Sequence, residues 1–400
     1  MKIKIFPLII FAVVIQELFL TQDIFSCSEL KVTMHNKTIV GNNEDYWDPD
    51  TRIWFEAGCN GDYGAVYVGY SALFPEGGMN EKGLMFDGLA VSGKTIKHSF
   101  GKKQISETEL KKKIMKECAT VQEVKNLVDQ YNISFWFRAV WMFVDKTGNY
   151  LIVDGDSLIS GNNKYFIQTN FHPSDIKDEK DIDCWRYKKA SYLLEKHCDS
   201  SIEYCTSLMD SIHTNGTQYT TIYDLNNAVV YLYCFHDYKK FIRFNLSEEL
   251  KTGDKILIIP ELFPENKDAF NNYSINKKIK DSLSMLRNTE VVSDSMKVLD
   301  IKNSAKNMGN AFLVERYLNN FGYEWLNKHN NLNAIIVFKL NVELFPQSSN
   351  VYDSLGEAYM TDKQYKAALE NYTRSVELDE RNTEGKQRII LLKDLLLSEL

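Results

Sequence analysis

The sequence lacks the features that mark zinc proteins, nucleic-acid binders and integral membrane proteins. Its seven cysteines include no CxxC pair, so their spacing gives no indication of a zinc site. The net charge is −7 and no basic stripe is present, which argues against nucleic acid as a partner. After Leu20 no apolar run is long enough to cross a bilayer. We therefore expect no metal, no nucleic-acid partner and no integral membrane span.

The first 26 residues have the pattern of a secretory signal peptide. Two lysines precede an apolar run over residues 5–15, which is too short to span a bilayer stably; Gln16 and Glu17 separate it from the apolar residues 18–20. Ser26 is a small residue that suits a signal peptidase cutting before Cys27. We therefore predict an exported protein, periplasmic or extracellular. The same stretch is an imperfect lipobox because Phe25 is bulky, so lipid anchoring at Cys27 stays open.

Cleavage before Cys27 would leave one residue with both a thiol and a free α-amine. An α-amine titrates near pH 7.7–8.0 and a thiol near 8.5, so the amine can take the thiol proton at neutral pH. This is the N-terminal form of a nucleophile paired with a base. Two other interpretations stay open: Cys27 is a small buried core residue, or it is the lipid-modified first residue of an envelope lipoprotein.

The composition and periodicity predict an α+β fold in two domains. The chain has 400 residues, 44% of them apolar, which is enough for a large core. Leu30, Val32 and Met34 alternate with polar residues and begin a hairpin. Thr120 and Glu123 predict a capping box at a helix start. Further strands are predicted at residues 140–145, 149–154, 165–168, 220–223, 229–234 and 241–244, and helices at residues 183–197 and 201–212.

Four segments carry a resemblance to a known family. They are Cys27 itself, residues 42–47 (NNEDYW), residues 78–84 (GMNEKGL) and residues 169–170 (TN), in this order. The set resembles the choloylglycine hydrolase and penicillin V acylase family of linear amide C–N hydrolases, to which the isopenicillin-N acyltransferases are related. The resemblance covers the chain from Cys27 to about Pro260. It implies the αββα sandwich of N-terminal-nucleophile hydrolases.

The resemblance also implies a role for five positions. Cys27 matches the nucleophile and Asp45 the carboxylate that orients the N-terminal cysteine. Asn170 matches the side-chain donor of the oxyanion hole, and a backbone amide near Ala90 would be the second donor. Arg186 stands where the family has an arginine that helps to position the site.

Two positions depart from the family pattern. Asn42 stands where the family has an arginine, so a fixed positive charge near the thiol is missing, and Arg52 or Arg186 is expected to replace it. Ala90 stands where bile-salt hydrolases have asparagine, which matters less because a backbone N–H serves with any side chain. Asn42 and Ala90 are predicted substrate or oxyanion contacts.

The predicted reaction is hydrolysis of a linear amide in a small N-acyl compound. Cys27 would attack the amide carbonyl and form a thioester that water resolves, with no metal or cofactor. Two alternatives stay open. The acceptor is an amine, as in an acyltransferase, or the protein is a non-catalytic envelope lipoprotein that acts as a binding or adaptor module.

The predicted domains are a signal peptide (1–26), a hydrolase domain (27–265), a helical linker (266–310) and helical repeats with a capping helix (311–400). Six small, apolar or aromatic positions recur 34 residues later, among them Gly322 and Gly356, and Ala334 and Ala368, while a seventh, Pro346, is replaced by Glu380. This spacing resembles the tetratricopeptide repeat, in which small residues let two helices pack closely. The repeats would bind a protein partner or pack against the hydrolase domain.

Overall fold

The computed structural model describes residues 27–97, 101–287 and 311–398. The predicted signal peptide and the second half of the predicted linker lie outside these residues. Within them the chain forms two antiparallel sheets, flanking helices and a C-terminal set of helices.

The first sheet has six strands and begins with the residue after Cys27. Its first two strands form a hairpin whose turn residues, His35 and Asn36, both have positive φ, as two-residue hairpin turns require. The spatial order is β10-β1-β2-β11-β12-β13. The bounds are β1 Ser28–Met34, β2 Lys37–Asp45, β10 Tyr165–Gln168, β11 Thr217–Asp224, β12 Val229–Cys234 and β13 Asp237–Asn245.

The second sheet has eight strands in the order β14-β3-β4-β5-β6-β7-β8-β9. Seven of its strands, β3 to β9, follow one another along the chain, so most connections are short hairpins. The bounds are β3 Thr51–Glu56, β4 Ala65–Tyr70, β5 Pro75–Asn80, β6 Met85–Ala90, β7 Ala139–Val144, β8 Tyr150–Asp154, β9 Ser157–Gly161 and β14 Lys255–Ile258.

The two sheets pack face to face, with helices on both outer faces. Inward side chains such as Val40, Met142 and Val230 form one buried cluster between the sheets. On the outer face of the six-stranded sheet, Leu30 packs with helices α3 (Trp185–Lys196) and α4 (Ile202–Ser211). On the outer face of the other sheet lie α1 (Glu107–Glu117) and α2 (Val121–Val128). The predicted αββα sandwich is confirmed.

Most elements predicted in the first domain are present, with some changes at their ends. The capping box is formed, because Thr120 accepts from the Glu123 N–H and Glu123 accepts in return. The last strand is longer than the predicted residues 241–244, since β13 begins at Asp237 after a tight turn from β12. Short helices α5 (Leu246–Glu249) and α6 (Ile259–Leu262) flank β14.

The C-terminal region is entirely helical among its described residues. Gly322 and Gly356, 34 residues apart, make equivalent close approaches: a Cβ there would lie 2.4 Å from Phe338 and 3.1 Å from Tyr372. This equivalence supports an internal repeat, while the tetratricopeptide assignment stays a prediction. The helices are α7 Lys267–Arg287, α8 Ala311–Asn327, α9 Asn331–Leu344, α10 Ser349–Thr361, α11 Tyr365–Leu378 and α12 Thr383–Ser398.

The helical region contacts the sandwich at the segment that follows β2. The Trp47 and Tyr317 rings meet edge to face with centroids 4.8 Å apart. The Tyr317 hydroxyl donates to Asp48 Oδ1 at 2.8 Å, and Lys280 Nζ lies 3.0 Å from Asp48 Oδ2. Lys280 also pairs with Asp50 at 2.8 Å. Because Asp45 ends β2, these contacts reach the region of the candidate site.

Candidate active site

Cys27 lies immediately before β1 and is 6% exposed. Its Sγ is 3.8 Å from the carbonyl oxygen of Asp45 on the neighbouring strand. Its own carbonyl oxygen accepts a hydrogen bond from Arg186 Nη1 at 2.6 Å. The residue is therefore fixed by one contact to β2 and one to the start of α3.

Arg186 joins three residues of the site. Besides Cys27, its Nη1 donates to Ser28 Oγ at 2.6 Å, and its Nη2 donates to Asn170 Oδ1 at 3.0 Å. The guanidinium is planar, always charged and 5% exposed as a residue, so it holds these groups in one geometry. Of the two arginines expected to replace the missing one, Arg186 is the one beside Cys27. Arg52 instead pairs with Asp50 at 2.5 Å.

Asn170 and Ala90, the two residues predicted for the oxyanion hole, are neighbours. Asn170 Nδ2 donates to the Ala90 carbonyl at 2.8 Å, while Arg186 fixes its Oδ1. An amide nitrogen has two N–H donors, so one is left for a ligand. The loop backbone is held by Gln168, whose Nε2 donates to the carbonyls of Thr169 and Phe171 at 2.7 and 2.8 Å.

His172 anchors the same loop to the second sheet. Its Nδ1 lies 2.6 Å from Asp154 Oδ1 and its Nε2 lies 2.8 Å from the Ser92 carbonyl. Ser174 adds two hydrogen bonds to Asp154 Oδ2. The loop that carries Asn170 is thus tied to the ends of strands β6 and β8, and His172 has a structural role there.

The carboxylate of Asp45 is held by two threonines. Thr217 Oγ1 donates to Oδ1 at 2.5 Å and Thr214 Oγ1 donates to Oδ2 at 2.8 Å. Burial raises the pKa of Asp45 to about 6, although both hydrogen bonds and the charge of Arg186 act to lower it. Asp45 therefore ties the end of β2 to the loop that precedes β11.

Buried acids that the sequence analysis did not single out lie on the face of the sheet that Cys27 shares. Val40 belongs to the core between the sheets, so the alternation along β2 turns Asn42 and Glu44 to that face and Asp45 away from it. By the same alternation Glu29 on β1 faces inward. The sequence contains a signal for two of these residues. At Asn42 and Glu44 the strand alternation from Val40 predicts an inward-facing apolar residue, and the chain has a polar one instead.

Asp87 on β6 faces this group from the opposite sheet. Its Oδ1 accepts from the Gly88 N–H at 2.9 Å, and a Cβ on Gly77 would lie 2.2 Å from its Oδ2. The glycine at position 77 therefore makes room for the carboxyl group. Burial raises the pKa of Asp87, and the nearby Glu29 and Glu44 raise it further.

The surroundings keep the Cys27 thiol protonated. Burial raises its pKa well above the ordinary value, and the charges of Glu44, Asp45 and Asp87 raise it further. A thiolate is the reactive form, so this thiol needs a base close by to act as a nucleophile. Asn42, where the family has arginine, is fully buried and its amide lies against Glu44.

An open cleft of about 610 Å³ lies between the sandwich and the helical region; its lining includes neighbours of Arg186 and Asp45 but not Cys27, Ala90 or Asn170. Its volume suits a drug-sized ligand. Trp185, next to Arg186 in the chain, is 51% exposed, and Phe312 of α8 is 38% exposed. Thr214, which holds Asp45, is also in the wall. The other lining residues are Tyr46, Trp47, Pro49, His213, Asn215, Gly216, Gln218, Phe235, Asn272 and Leu313.

Over the three described ranges, no group of His, Cys, Asp and Glu is arranged to hold a metal ion. All seven cysteines are free thiols. No described helix is both long and apolar enough to cross a membrane.

Comparisons with known proteins agree with the resemblance seen in the sequence. Residues 20–169 match the family model described as linear amide C–N hydrolases, choloylglycine hydrolase family. Among solved structures, penicillin V acylase from Agrobacterium tumefaciens has a TM-score of 0.46 at 14% identity, over 58% of this chain and 91% of that one. A variant of conjugated bile acid hydrolase from Clostridium perfringens has a TM-score of 0.45 at 18% identity, over 58% and 96%. No curated protein matches significantly.

Proposed function

Because residues 20–169 match the model of the choloylglycine hydrolase family of linear amide C–N hydrolases, we propose that this protein cleaves the amide bond of an N-acyl compound with Cys27 as its nucleophile. The observation that carries this proposal is the set of hydrogen bonds donated by the guanidinium group of Arg186. It links the Cys27 carbonyl to Asn170, which itself contacts Ala90. These contacts support a site in which Cys27 is the nucleophile and Asn170 and a backbone amide near Ala90 are the oxyanion donors.

The reaction begins with removal of the leader, which frees the α-amine of Cys27. The amine takes the Sγ proton as sulfur bonds to the amide carbonyl carbon, and the carbonyl oxygen becomes an oxyanion. The second N–H of Asn170 and a backbone N–H near Ala90 stabilise that oxyanion. Loss of one such donor typically lowers the rate by about 10²–10³-fold.

Collapse of this intermediate breaks the C–N bond. The ammonium of Cys27 returns its proton to the leaving nitrogen, which departs as an amine and leaves a thioester. Water then attacks the thioester, again with the amine as base, and releases the carboxylic acid. Every proton in this sequence moves between sulfur, the α-amine, the leaving group and water.

The aromatic cleft beside Arg186 and Thr214 gives the substrate a place to bind. We place an apolar part of the N-acyl compound against Trp185 and Phe312, because exposed aromatic rings bind flat apolar groups well. The helical region then forms one wall of the substrate cleft. Export of the protein to the periplasm or the cell exterior is part of the same proposal, because cleavage before Cys27 follows from it.

The test compares wild type with Cys27→Ser on a panel of N-acyl amino acids, aryl-acetyl amides and conjugated bile salts. We expect the processed wild type to release free amine from at least one compound. Cys27→Ser should lose that activity by on the order of 10³-fold or more with an unchanged melting temperature, because a hydroxyl is far less acidic than a thiol.

The matched control is Cys59→Ser, which changes an exposed cysteine. It should keep full activity. Full activity in the Cys27→Ser protein would remove Cys27 from the chemistry, and amine transfer to an added acceptor in place of hydrolysis would reassign the protein as an acyltransferase.

A further inference from the structure

The strand register places Glu44 directly opposite Cys27. Ser28 pairs with Asn43 and Glu29 pairs with Asn42 in the antiparallel β1–β2 ladder. One step further out along the ladder, Cys27 comes opposite Glu44. Residues opposite each other on antiparallel strands have Cβ atoms about 4.5–5.5 Å apart, so the Glu44 carboxyl group is within reach of the main-chain nitrogen of Cys27.

The two neighbouring acids of β2 face opposite ways. Glu44 shares the inward face with Cys27, while Asp45 faces outward and has both carboxylate oxygens on Thr214 and Thr217. The Thr217 contact is short and fully buried. Asp45, the acid that the family resemblance assigns to the amine, is thus hydrogen-bonded to the two threonines. Glu44 is the acid on the same face of the sheet as Cys27.

One oxygen of Glu44 is fixed and the other is open. The Tyr70 hydroxyl donates to Oε1 at 3.0 Å, which orients the carboxyl group. Oε2 is buried and has no hydrogen-bond partner in the described part of the chain. Leaving a buried polar oxygen unpaired is unfavourable, so a partner that arrives later would be bound well.

A tyrosine gives an independent sign that this place receives a polar group. Tyr219 on β11 is fully buried, and its hydroxyl has no hydrogen-bond partner among the residues described. Burial raises the pKa of this hydroxyl, and Glu44 and Asp87 raise it further, which places it close to both acids. Tyr219 pairs directly with Glu44 in the β2–β11 register, so an unpaired hydroxyl and an unpaired carboxylate oxygen belong to neighbouring residues on adjacent strands.

We propose that Glu44 is the positioning residue that binds the α-ammonium of Cys27 once maturation has exposed it. This inference rests on the proposed function, because it requires the free amine. In the reaction the amine accepts the Sγ proton, the carboxylate stabilises the resulting ammonium, and the ammonium later gives the proton to the leaving nitrogen. Burial and the charge of Glu76 raise the pKa of Glu44 to about 8 while the α-amine is blocked. The ammonium exposed beside it lowers that pKa again, so the carboxylate is the form that binds the ammonium, and no other reactant is needed.

This arrangement differs from the one that the family resemblance implies. An arginine at position 42 would favour the thiolate, whereas Glu44 favours the ammonium, and both stabilise the product of the same proton transfer. The charged and titratable groups that face Cys27 and Glu44 come from several elements. They are Glu29 on β1, Asp45 on β2, Tyr70 on β4, Glu76 on β5, Asp87 on β6, Tyr219 on β11 and Arg186 on α3.

The test compares Glu44→Gln with Asp45→Asn, two neighbouring changes on opposite faces of one strand. Two pH profiles are recorded on the secreted, processed proteins: alkylation of Cys27 by iodoacetamide without substrate, and kcat/KM. In Glu44→Gln the amine and the thiol lose an anionic neighbour. Both profiles should move to lower pH by about one unit. kcat should fall by up to about 10²-fold with KM unchanged, because the amine is no longer held in place.

Asp45→Asn should lower the melting temperature, because Asp45 holds the loop before β11, and should move both profiles less than Glu44→Gln does, because its charge raises the thiol pKa less than that of Glu44. Glu44→Asp should restore part of kcat. If Asp45→Asn moves the profiles and Glu44→Gln does not, Asp45 is the partner of the amine and the inference is wrong. Should Glu44→Gln fail to fold, Tyr70→Phe replaces it: kcat should drop several-fold at constant KM, and an unchanged kcat overturns the inference.

The mass of the N-terminal peptide separates this inference from the proposed function. A chain that does not begin at a free Cys27 overturns both, before any kinetic measurement. A chain that begins there and is active, but whose profiles ignore Glu44→Gln, overturns the role of Glu44 alone.

Discussion

The layer between the two sheets has two parts of opposite character. One part is filled by apolar side chains of β7, β8 and β12, such as Met142, Ile152 and Leu232, all fully buried. The other part, beside Cys27, holds Glu29, Glu44 and Asp87 at the same depth. The sandwich could bury apolar residues in both parts. This difference indicates that the first part stabilises the fold. In the second part polar groups are buried next to Cys27 at a cost in folding free energy.

The largest expected effect concerns Arg186, which organises the polar part. Arg186→Gln should lower kcat/KM by about 10²–10³-fold, because Asn170 loses the contact that fixes its amide and the Cys27 carbonyl loses its donor. Steady-state kinetics on the best amide of the panel measures this. The matched control is Arg52→Gln, which removes the ion pair with Asp50 and should leave kcat/KM unchanged. Equal losses in both variants would contradict the assignment of Arg186.

Stability should respond in opposite ways in the two parts. Ile152→Ala should lower the free energy of unfolding by about 2–5 kcal/mol, because it leaves a cavity in the apolar part. Glu29→Gln should not destabilise, because neither carboxylate oxygen of Glu29 has a hydrogen-bond partner in the ranges described. Denaturant unfolding of both variants makes the comparison. If Glu29→Gln lowers the free energy of unfolding more than Ile152→Ala does, the two parts do not differ in their contribution to stability.

The pH dependence of unfolding sharpens this comparison. Burial raises the pKa of Glu29 well above its ordinary value, so between that value and the raised one the folded chain binds a proton that the unfolded chain has lost. The stabilisation present below the ordinary pKa is therefore lost as the pH rises through this window, by at most about 1.4 kcal/mol per pH unit. Glu29→Gln should therefore reduce the fall in the free energy of unfolding above pH 5. Parallel curves for wild type and variant would contradict it.

The smallest expected effect lies at the contact with the helical region. Tyr317→Phe removes the hydroxyl that donates to Asp48 and should lower the free energy of unfolding by about 1 kcal/mol. Because the neighbouring α8 residue Phe312 lines the cleft, KM should rise while kcat stays constant. Tyr323→Phe is the matched control, since its hydroxyl bonds Glu357 within the helical region. Tyr323→Phe should leave KM unchanged. A rise of KM in both variants would show that the Tyr317 contact does not shape the cleft.

The sequence was sufficient for the sandwich and for part of the site. Alternation predicted the first hairpin, and the strand over residues 165–168 delivered Asn170 to its end as expected. The partners of Asp45 could not be predicted, because Thr214 and Thr217 lie about 170 residues further along the chain. Local periodicity carries no information about such long-range contacts.

Glu44 illustrates why the rest was missed. Glu44 and Asp45 are adjacent acids, and the sequence alone does not show which of them faces Cys27. Only the β1–β2 register shows that Glu44 is the one that faces Cys27. The cleft has the same origin. It forms where the helical region meets the segment after β2. Sequence patterns left two alternatives for the helical region, an outside partner or packing on the first domain.

The central claim is that Cys27 acts with its own free α-amine, and the mass of the mature N-terminal peptide tests it most directly. The protein is expressed with its leader, recovered from the exported fraction and digested, and the first peptide is sequenced by tandem mass spectrometry. The account predicts a peptide that begins with unmodified Cys27-Ser28-Glu29. A diacylglyceryl or N-acyl group on Cys27, or a mature chain that begins elsewhere, would contradict it, because a blocked or absent amine cannot act as the base.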